Sequence, residues 1–409
     1  MSKIVYVLGV FPYLTTTFVD REILETERRG IDLILVALRR PAAPVDVRGP
    51  IARLVDTTRY LWPVPWFKFL VAHLRFVVTR SGAYLKTLGY LLTRHHGTPG
   101  AWFRTLFYFA LGVWAAELLR EEGVSQIHAH FANRATVVAM VASRLLGVPY
   151  SLTAHAYDIY VSPVMLPEKM AGARFVATCT DYNRAHLERI DGGRFVGKIH
   201  LIYHGLDLSK FEPDRRLPDD GRRPLLLSVG QLKEKKGFPY LLRACRILKD
   251  YGYDFACEII GEGPQRPELE AMITDLGLGG TVVLRGAVPH VEVLERYAAA
   301  TLFALACVPA EDGDRDGIPN VLLEAMAMRV PVVSTHFSGI PEAVEDGRTG
   351  LLVPSGDTEA LAKALMRLLD DRDLRDKMGR AGRERVEERF DIRDNIGRLV
   401  DLFKENGVK

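Results

Sequence analysis

Two acidic residues in the last third of the chain have the types and spacing to hold a phosphorylated, polyhydroxylated ligand. Asp316 precedes a Gly-Ile-Pro at 317–319, and Glu324 lies in the apolar run that begins at Asn320. Since Gly and Pro disfavour a helix before Asn320, we expect Asp316 in a loop and Glu324 about one turn inside a helix. A helix start attracts phosphate, and carboxylates beside it can accept hydrogen bonds from vicinal hydroxyls. A sugar nucleotide needs this arrangement. The alternative is that one acid balances the helix dipole and that Glu324 is a solvated side chain, since the same sequence pattern is compatible with both.

A lysine cluster and a glycine turn offer further contacts for such a ligand. SVGQLKEKKGF at 228–238 ends a predicted strand at Gly230 and then places three lysines before Gly237. A cation just beyond a strand end can reach a pyrophosphate, and we expect Lys236 to be that cation; exposed loop lysines are the alternative. GEGPQR at 261–266 lacks a full dinucleotide fingerprint and is either a tight turn or a loop beside a nucleobase.

Three histidines are candidates for a metal site or for a cleft. His128 and His130 alternate along a predicted strand and should face the same side, but the sequence shows no nearby acid or third ligand. His155 ends another predicted strand, where a cleft residue would lie. Core histidines are the alternative for each of them. We therefore expect no metal.

The segment 53–104 is basic and aromatic. It holds eight Lys and Arg against one acid, Asp56, within a first half (1–210) that has 25 basic and 16 acidic residues. Amphipathic helices of this composition bind anionic membrane surfaces; core aromatics beneath a solvated basic face are the alternative. No RNA-binding module is recognisable, so we expect no nucleic acid. The residues that we expect at an acceptor or membrane surface are Trp62, Trp66, Arg75, Arg80, Trp102 and Arg104.

Length and composition exclude several classes of protein. At 409 residues the chain should contain two or more domains, since a domain typically has about 100–200 residues. Four widely spaced cysteines without a CxxC pair argue against a disulfide framework or a thiolate zinc site. The N-terminus lacks a signal-peptide pattern, and the longest apolar run, at 106–116, is shorter than the roughly 18–20 residues that span a bilayer. We expect a cytoplasmic chain.

Alternating strand and helix patterns position these candidates. Apolar runs at 3–10 and 31–38 flank a helical pattern, which predicts a parallel sheet covered on both faces. The pattern restarts at 223–230 after a polar, proline-containing link. The predicted fold class is therefore α/β, with two doubly wound, Rossmann-like domains, 1–205 and 206–385, facing across a cleft. Ligands of such sheets bind beyond the carboxyl ends of the strands.

The ordered set of motifs resembles the retaining glycosyltransferases of family 4, which have the GT-B architecture. The motifs are SVGQLKEKKGFPYLLRA, IIGEGP, LRGAVPH, DGIPNVLLEAMAMRVPVVST and SGIPEAVEDGRTGLLVPSGD. FPYLTTTFVDREI and HAHFA…PYSLTAHAYDIY resemble the branch that acts in bacterial exopolysaccharide and colanic-acid assembly. The resemblance implies that 206–385 binds the nucleotide sugar, that 1–205 faces acceptor and membrane, and that a helix in 386–409 packs back on the first domain.

The resemblance also implies roles for individual residues. Asp316 is expected on the donor-sugar hydroxyls, Glu324 on the ribose and Lys236 on the diphosphate. His155 is expected near the donor sugar and the reacting centre. The remaining donor-site positions are Gly317, Ile318 and Asn320, with Gly263, Pro264 and Val288 flanking the base and Gln231 near the phosphates.

This sequence departs from the family pattern at three places. Asp316 is one methylene shorter than the usual Glu, and Gln231 stands where an Arg usually assists the phosphates. Because a neutral amide cannot neutralise a phosphate, Lys236 must carry more of that charge, either alone or together with Lys233 or Lys235. Thr15-Thr16-Thr17 lies where a glycine pair is usual, so the acceptor-side loop stays unassigned.

The implied activity is transfer of a sugar from a UDP- or GDP-sugar to a lipid-linked oligosaccharide, with retention and without a metal or other cofactor. The enzyme would lie peripherally on the inner face of the cytoplasmic membrane. The alternatives are a soluble glycosyltransferase with a small acceptor, a sugar-nucleotide epimerase and a non-catalytic sugar-nucleotide-binding partner.

Overall fold

The computed structural model describes residues 3–13, 17–42, 49–217 and 221–407. The strands in these residues are β1 (Lys3–Val10), β2 (Asp32–Arg39), β3 (Arg59–Trp62), β4 (Val124–His130), β5 (Tyr150–Ala154), β6 (Val176–Thr178), β7 (Ile199–Leu201), β8 (Leu225–Val229), β9 (Ala256–Ile260), β10 (Val282–Gly286), β11 (Leu302–Leu305), β12 (Val332–Thr335) and β13 (Gly350–Val353). The α-helices are α1 (Thr17–Arg28), α2 (Pro50–Thr57), α3 (Trp66–Thr79), α4 (Ser81–Leu92), α5 (Pro99–Leu119), α6 (Arg134–Leu146), α7 (Leu166–Gly172), α8 (Asp181–Arg189), α9 (Phe238–Asp250), α10 (Arg266–Asp275), α11 (His290–Ala299), α12 (Asn320–Ala327), α13 (Ile340–Ala343), α14 (Thr358–Asp370), α15 (Arg372–Arg389) and α16 (Ile392–Glu405).

The chain forms two compact units. The N-terminal unit comprises Met1–His204 together with Ile392–Lys409, and the C-terminal unit comprises Gly205–Asp391. Helix α16 thus belongs to the N-terminal unit, where Leu399 and Phe403 join the same buried cluster as β1. The chain passes into the C-terminal unit at Gly205 and returns to the N-terminal unit at Ile392, where α16 begins.

Each unit is built on one parallel sheet with the same strand order. The N-terminal sheet runs β3-β2-β1-β4-β5-β6-β7 and the C-terminal sheet runs β10-β9-β8-β11-β12-β13. This is the Rossmann order, in which the direction of winding reverses between the first and fourth strands of each unit. The predicted α/β fold class with two doubly wound domains is confirmed. The reversal points, β1/β4 and β8/β11, are where such sheets bind ligands.

The alternation of side chains along β1 explains how the N-terminal sheet is covered on both faces. Val5 and Val7 join one buried cluster, whereas Ile4, Tyr6 and Leu8 join another on the opposite face. Each fully buried aliphatic side chain of this kind contributes about 1.5–3 kcal/mol. The apolar strands therefore fix the sheet, and the polar residues that follow them are left at its carboxyl edge.

The structure adds elements that the sequence patterns did not reveal. β3 and β13 are edge strands of four residues each. β3 ends at Trp62 and so lies inside the basic, aromatic segment 53–104. Among the helices of the described residues, none is long and apolar enough to cross a bilayer. Thr15 and Thr16, in the loop left unassigned above, lie outside the described residues.

Candidate functional site

The candidate donor site lies at the reversal point of the C-terminal sheet. Gly237 follows the lysine cluster with φ +65°, and a side chain there would collide with the carbonyl oxygen of Ala306, just after β11. The loop after β8 is joined to the GEG turn by hydrogen bonds, since Leu232 N donates to Glu262 O over 3.0 Å. Gly263 is required there because a Cβ would collide with the Leu232 backbone. The glycines thus let three loops meet at one point.

Asp316 and the lysines are brought into direct contact. Lys236 Nζ lies 2.7 Å from Asp316 Oδ2, and Lys235 Nζ lies 3.4 Å from Asp316 Oδ1 and 2.9 Å from Asp314 Oδ2. The stem of Lys236 crosses Gly230, whose missing side chain leaves room for it. The sequence singled out Lys236, with Lys233 or Lys235 as a candidate second cation. In the structure, Lys235 and Asp314 join the same cluster.

The electrostatics of this cluster favour charged groups. Burial acts to raise the pKa of Asp316, but Lys236 and Lys235 outweigh it and hold that pKa below its ordinary value. Burial likewise opposes the charge on Lys235, yet Asp316 and Asp314 raise the pKa of its ammonium group. At neutral pH the site therefore consists of fixed ammonium and carboxylate groups. Such preorganised charges suit a ligand that carries phosphate and hydroxyl groups.

Glu324 occupies the predicted place in the helix that follows Asp316. Helix α12 begins at Asn320, Pro319 caps it without a side-chain hydrogen bond, and Glu324 is buried one turn inside. Tyr297 OH lies 3.1 Å from Val321 O and 3.4 Å from Glu324 Oε2, and His290 Nε2 lies 4.0 Å from Glu324 Oε1. The helix start is thus open to an anion, and the hydroxyl of a buried Tyr lies beside the carboxylate. Sequence reasoning missed Tyr297 because only the packing of α11 against the site brings it there.

The other predicted donor contacts surround these groups. Gly317 and Ile318 lie in the partly exposed loop between Asp316 and α12, while Asn320 is the first residue of that helix. Gln231 and Pro264 are exposed, and Val288 is partly exposed in the loop after β10.

His155 lies in the N-terminal unit, directly after β5, and is buried. Its backbone N–H donates to Asp158 Oδ1 over 3.0 Å, and the other oxygen of Asp158 accepts from the N–H of Ala132, after β4. Buried Lys169 donates to Ala132 O over 2.8 Å. Asp158 and Lys169, which sequence reasoning missed, therefore fix the two strand ends beside the His155 ring.

The prediction that His128 and His130 have no acid nearby is wrong. His130 Nε2 lies 2.9 Å from Glu22 Oε1, which also accepts from Tyr6 OH over 3.0 Å. His128 contacts the hydroxyls of Ser151 and Thr153 over 2.8 and 2.9 Å. All three groups are buried, so these histidines form a hydrogen-bonded core network. Glu22 comes from α1, more than 100 residues away, and no local pattern could reveal it.

The predicted acceptor and membrane residues lie on and beside helices α3 and α5. Trp62 ends β3 and Arg80 separates α3 from α4, whereas Trp66 and Arg75 belong to α3 and Trp102 and Arg104 belong to α5. Trp62, Trp66, Arg80 and Arg104 are exposed, whereas Trp102 is half-buried and its Nε1–H donates to Leu92 O over 3.3 Å. Arg75 is paired with Glu117 at 3.0 Å. One face of α3 exposes large apolar side chains along its whole length: Trp66, Phe67, Leu70, Val71, Leu74, Val77 and Val78.

Known proteins of similar sequence are glycosyltransferases. The family described as glycosyl transferases group 1 matches residues 209–385, which lie within the C-terminal unit. The chain is 32% identical over 405 residues to the putative colanic acid biosynthesis glycosyltransferase WcaL of Escherichia coli (strain K12), covering 95% of this chain and 96% of that protein. It is 43% identical over 172 residues to the amylovoran biosynthesis glycosyltransferase AmsK of Erwinia amylovora, covering 42% of each chain.

A solved structure shares the fold along nearly the whole chain. Anabaena Alr3699/HepE, solved in complex with UDP, aligns with a TM-score of 0.72 at 18% identity and covers 98% of this chain and 100% of that one. Because the chain is 32% identical to WcaL over 95% of its length, it belongs to the group 1 glycosyl transferases and has their GT-B fold.

Proposed function

We propose that this glycosyltransferase moves a sugar from a UDP- or GDP-sugar to a lipid-linked oligosaccharide, with retention of configuration and without a metal, in exopolysaccharide or capsule assembly. The observation that carries the proposal is the contact of Lys236 with Asp316 beside the start of α12, one turn before buried Glu324. A cation, a helix start and two carboxylates at one strand edge match a diphosphate flanked by ribose and sugar hydroxyls.

The leaving group is the nucleoside diphosphate. Lys236 and the backbone N–H groups at the start of α12 stabilise the charge that develops as the bond from anomeric carbon to phosphate oxygen breaks. The acceptor hydroxyl attacks on the same face, and a donor phosphate oxygen takes its proton. Asp316 holds donor-sugar hydroxyls and Glu324 holds the ribose. Because the phosphate oxygen accepts the proton, this step needs no basic side chain. The carboxylates of Asp316 and Glu324 can therefore accept hydrogen bonds from the donor.

His155 positions the sugar and does not transfer a proton. Burial, followed by repulsion from His204 and other imidazoles, lowers the pKa of His155 well below its ordinary value. The ring is therefore neutral at physiological pH and can donate or accept one hydrogen bond.

The acceptor class is supported by the relatives and by helix α3. Two relatives are named for amylovoran and colanic acid biosynthesis. The apolar face of α3 ends beside exposed cations, Arg80 among them, which suits the interface of an anionic bilayer. We place this face on the inner surface of the cytoplasmic membrane, where a lipid-linked saccharide would be within reach.

The membrane contact is tested by sedimentation with vesicles that contain anionic phospholipid. Phe67 and Leu74 are 80% and 65% exposed, so Phe67→Glu and Leu74→Glu should fold and should lose most of the bound fraction. The matched control is Val196→Glu, an exposed apolar position elsewhere in the same unit. Equal sedimentation of all four proteins would refute the assignment of α3.

The reaction is tested by supplying UDP- and GDP-sugars with and without a lipid extract, in the presence of EDTA. The proposal requires a glycolipid product that forms only with the extract and keeps the anomeric configuration of the donor. Conversion of the donor alone would identify an epimerase, and tight binding without any product would identify a non-catalytic binder. Transfer that EDTA abolishes would refute the metal-independent step.

A further inference from the structure

Three consecutive strands of the N-terminal sheet each deliver a metal-binding side chain at the carboxyl edge. His155 follows β5 and Cys179 follows β6, directly after the paired residues Ala154 and Thr178. His204 lies three residues beyond β7, which pairs with β6. Because the strands are adjacent and parallel, their ends meet at one place. One ring nitrogen of each histidine and the Cys179 sulfur all lie within 4.8 Å of one another.

The side chains at this place are suited to a ligand. Nε2 of His155 is buried without a hydrogen-bond partner among the described residues, although a buried imidazole nitrogen normally has one. Cys179 and His204 are only partly buried, so an ion can reach them from solvent. The network around His128 differs, because both nitrogens of that ring already contact hydroxyl groups.

We propose that His155, Cys179 and His204 form a site for a borderline-soft divalent cation, with Zn²⁺ as the ion of best fit. Two imidazoles and one thiolate are a donor set that zinc prefers, and three protein ligands leave the fourth tetrahedral position for water or substrate. On binding, the Cys179 thiol forms the sulfur–metal bond and releases its proton to solvent. Glu22, which interacts electrostatically with His204, offsets part of the charge of the ion.

The two imidazole ligands are packed among aromatic rings. The rings of His155 and His204 are stacked with centroids 5.1 Å apart, and Phe18 packs on the His204 ring at 4.1 Å. These aromatic contacts hold the two ligands in place before the ion arrives.

The consequence is regulatory and rests on the proposed function. An ion on His155 would occupy the ring that we propose to position the donor sugar. Zn²⁺ should therefore inhibit transfer, and EDTA should restore it. This differs from a catalytic metal, whose removal would abolish activity.

Titration of the full chain with Co²⁺ tests the site without any assay of transfer. The wild type should bind one Co²⁺ with a thiolate-to-cobalt charge-transfer band and the strong visible bands of a tetrahedral ion, and Zn²⁺ should displace it. Cys179→Ser should lose the charge-transfer band. Since even groups that merely orient a ligand are worth about 10–100-fold in affinity, His204→Ala should weaken binding at least about tenfold.

Cys245→Ser is the matched control, because Cys245 is fully buried in the C-terminal unit. It should keep the complete cobalt spectrum. A wild type without a charge-transfer band, or a Cys179→Ser variant that keeps it, would overturn the site even if the protein proves to be an active transferase. Inactivity of the protein towards every nucleotide sugar would instead overturn the proposed function and leave the cobalt result unchanged.

Discussion

The two units share one strand order and yet place different chemistry at the carboxyl ends of their strands. In the C-terminal unit, the loops after β8 and β11 bring Lys236 and Asp316 together as a charged pair at 2.7 Å. In the N-terminal unit, the corresponding region holds Tyr6 and imidazole rings around buried Glu22, and buried Asp158 lies beside His155. The fold therefore supplies a location, and the residues after each strand decide whether that location binds phosphate through charge or positions a neutral group.

The largest loss of activity should follow removal of the Lys236 ammonium group from its cluster with Lys235, Asp314 and Asp316. Loss of one preorganised donor to a developing negative charge typically costs about 10²–10³ in kcat, so Lys236→Ala should lose that much transfer activity. Steady-state kinetics with a saturating acceptor would measure it.

Lys233→Ala is the matched control, since Lys233 is exposed in the same loop. It should keep transfer activity within a few-fold of the wild type. If the two lysine variants lose activity equally, the selective role of Lys236 is wrong.

The second effect concerns the acid stability of the buried cluster formed by Glu22, Tyr6 and His130 in the N-terminal unit. Burial opposes the charge of Glu22, but His130 outweighs it and lowers the pKa from 4.5 to about 2. The stabilisation is therefore complete above about pH 4.5 and is lost as pH falls towards 2. At 1.36 kcal/mol per pKa unit it amounts to about 3 kcal/mol.

Denaturant unfolding of the wild type and of Glu22→Gln between pH 7 and pH 3 measures this dependence. The variant should be less stable at pH 7 and should change less with pH. Glu121→Gln, at an exposed position, should keep the wild-type dependence. A Glu22→Gln curve parallel to that of the wild type would show that Glu22 does not stabilise the cluster.

The smallest of these effects concerns Glu324. Replacing one charged acceptor with an amide should cost about 1.5–3 kcal/mol of donor affinity, or about 10–150-fold in KM for the nucleotide sugar. Glu324→Gln keeps the shape of the side chain against Tyr297, so the stability of the unit should change little. Glu359→Gln, exposed on α14, is the control. An unchanged KM in Glu324→Gln would remove Glu324 from the ribose site.

The comparison also separates what sequence can predict from what it cannot. The places of Lys236, Asp316 and Glu324 in the secondary structure were predictable from Gly237 and Pro319. Gly237 ends the lysine turn before α9, and Pro319 keeps Asp316 in the loop before α12 with Glu324 one turn inside that helix. The contact of Glu22 with His130 was not predictable, since it depends on α1 packing beside β4.

The basic segment illustrates the same limit on the surface. Residues 53–104 contain one acidic residue and eight Lys and Arg residues. In the folded unit, Arg53, Arg59 and Arg75 are paired with Glu27, Glu122 and Glu117, which lie elsewhere in the chain. The net charge that faces solvent is therefore smaller than the composition suggests, and the exposed apolar face of α3 becomes the stronger feature.

Calorimetric titration of nucleotide sugars into the wild type, Lys236→Ala and Lys233→Ala, all in EDTA, tests the central claim most directly. The account predicts that the wild type binds at least one UDP- or GDP-sugar without a metal, that Lys236→Ala binds it at least about tenfold more weakly, and that Lys233→Ala binds it like the wild type. Equal affinities for the wild type and Lys236→Ala would show that the diphosphate is held elsewhere and would contradict the account.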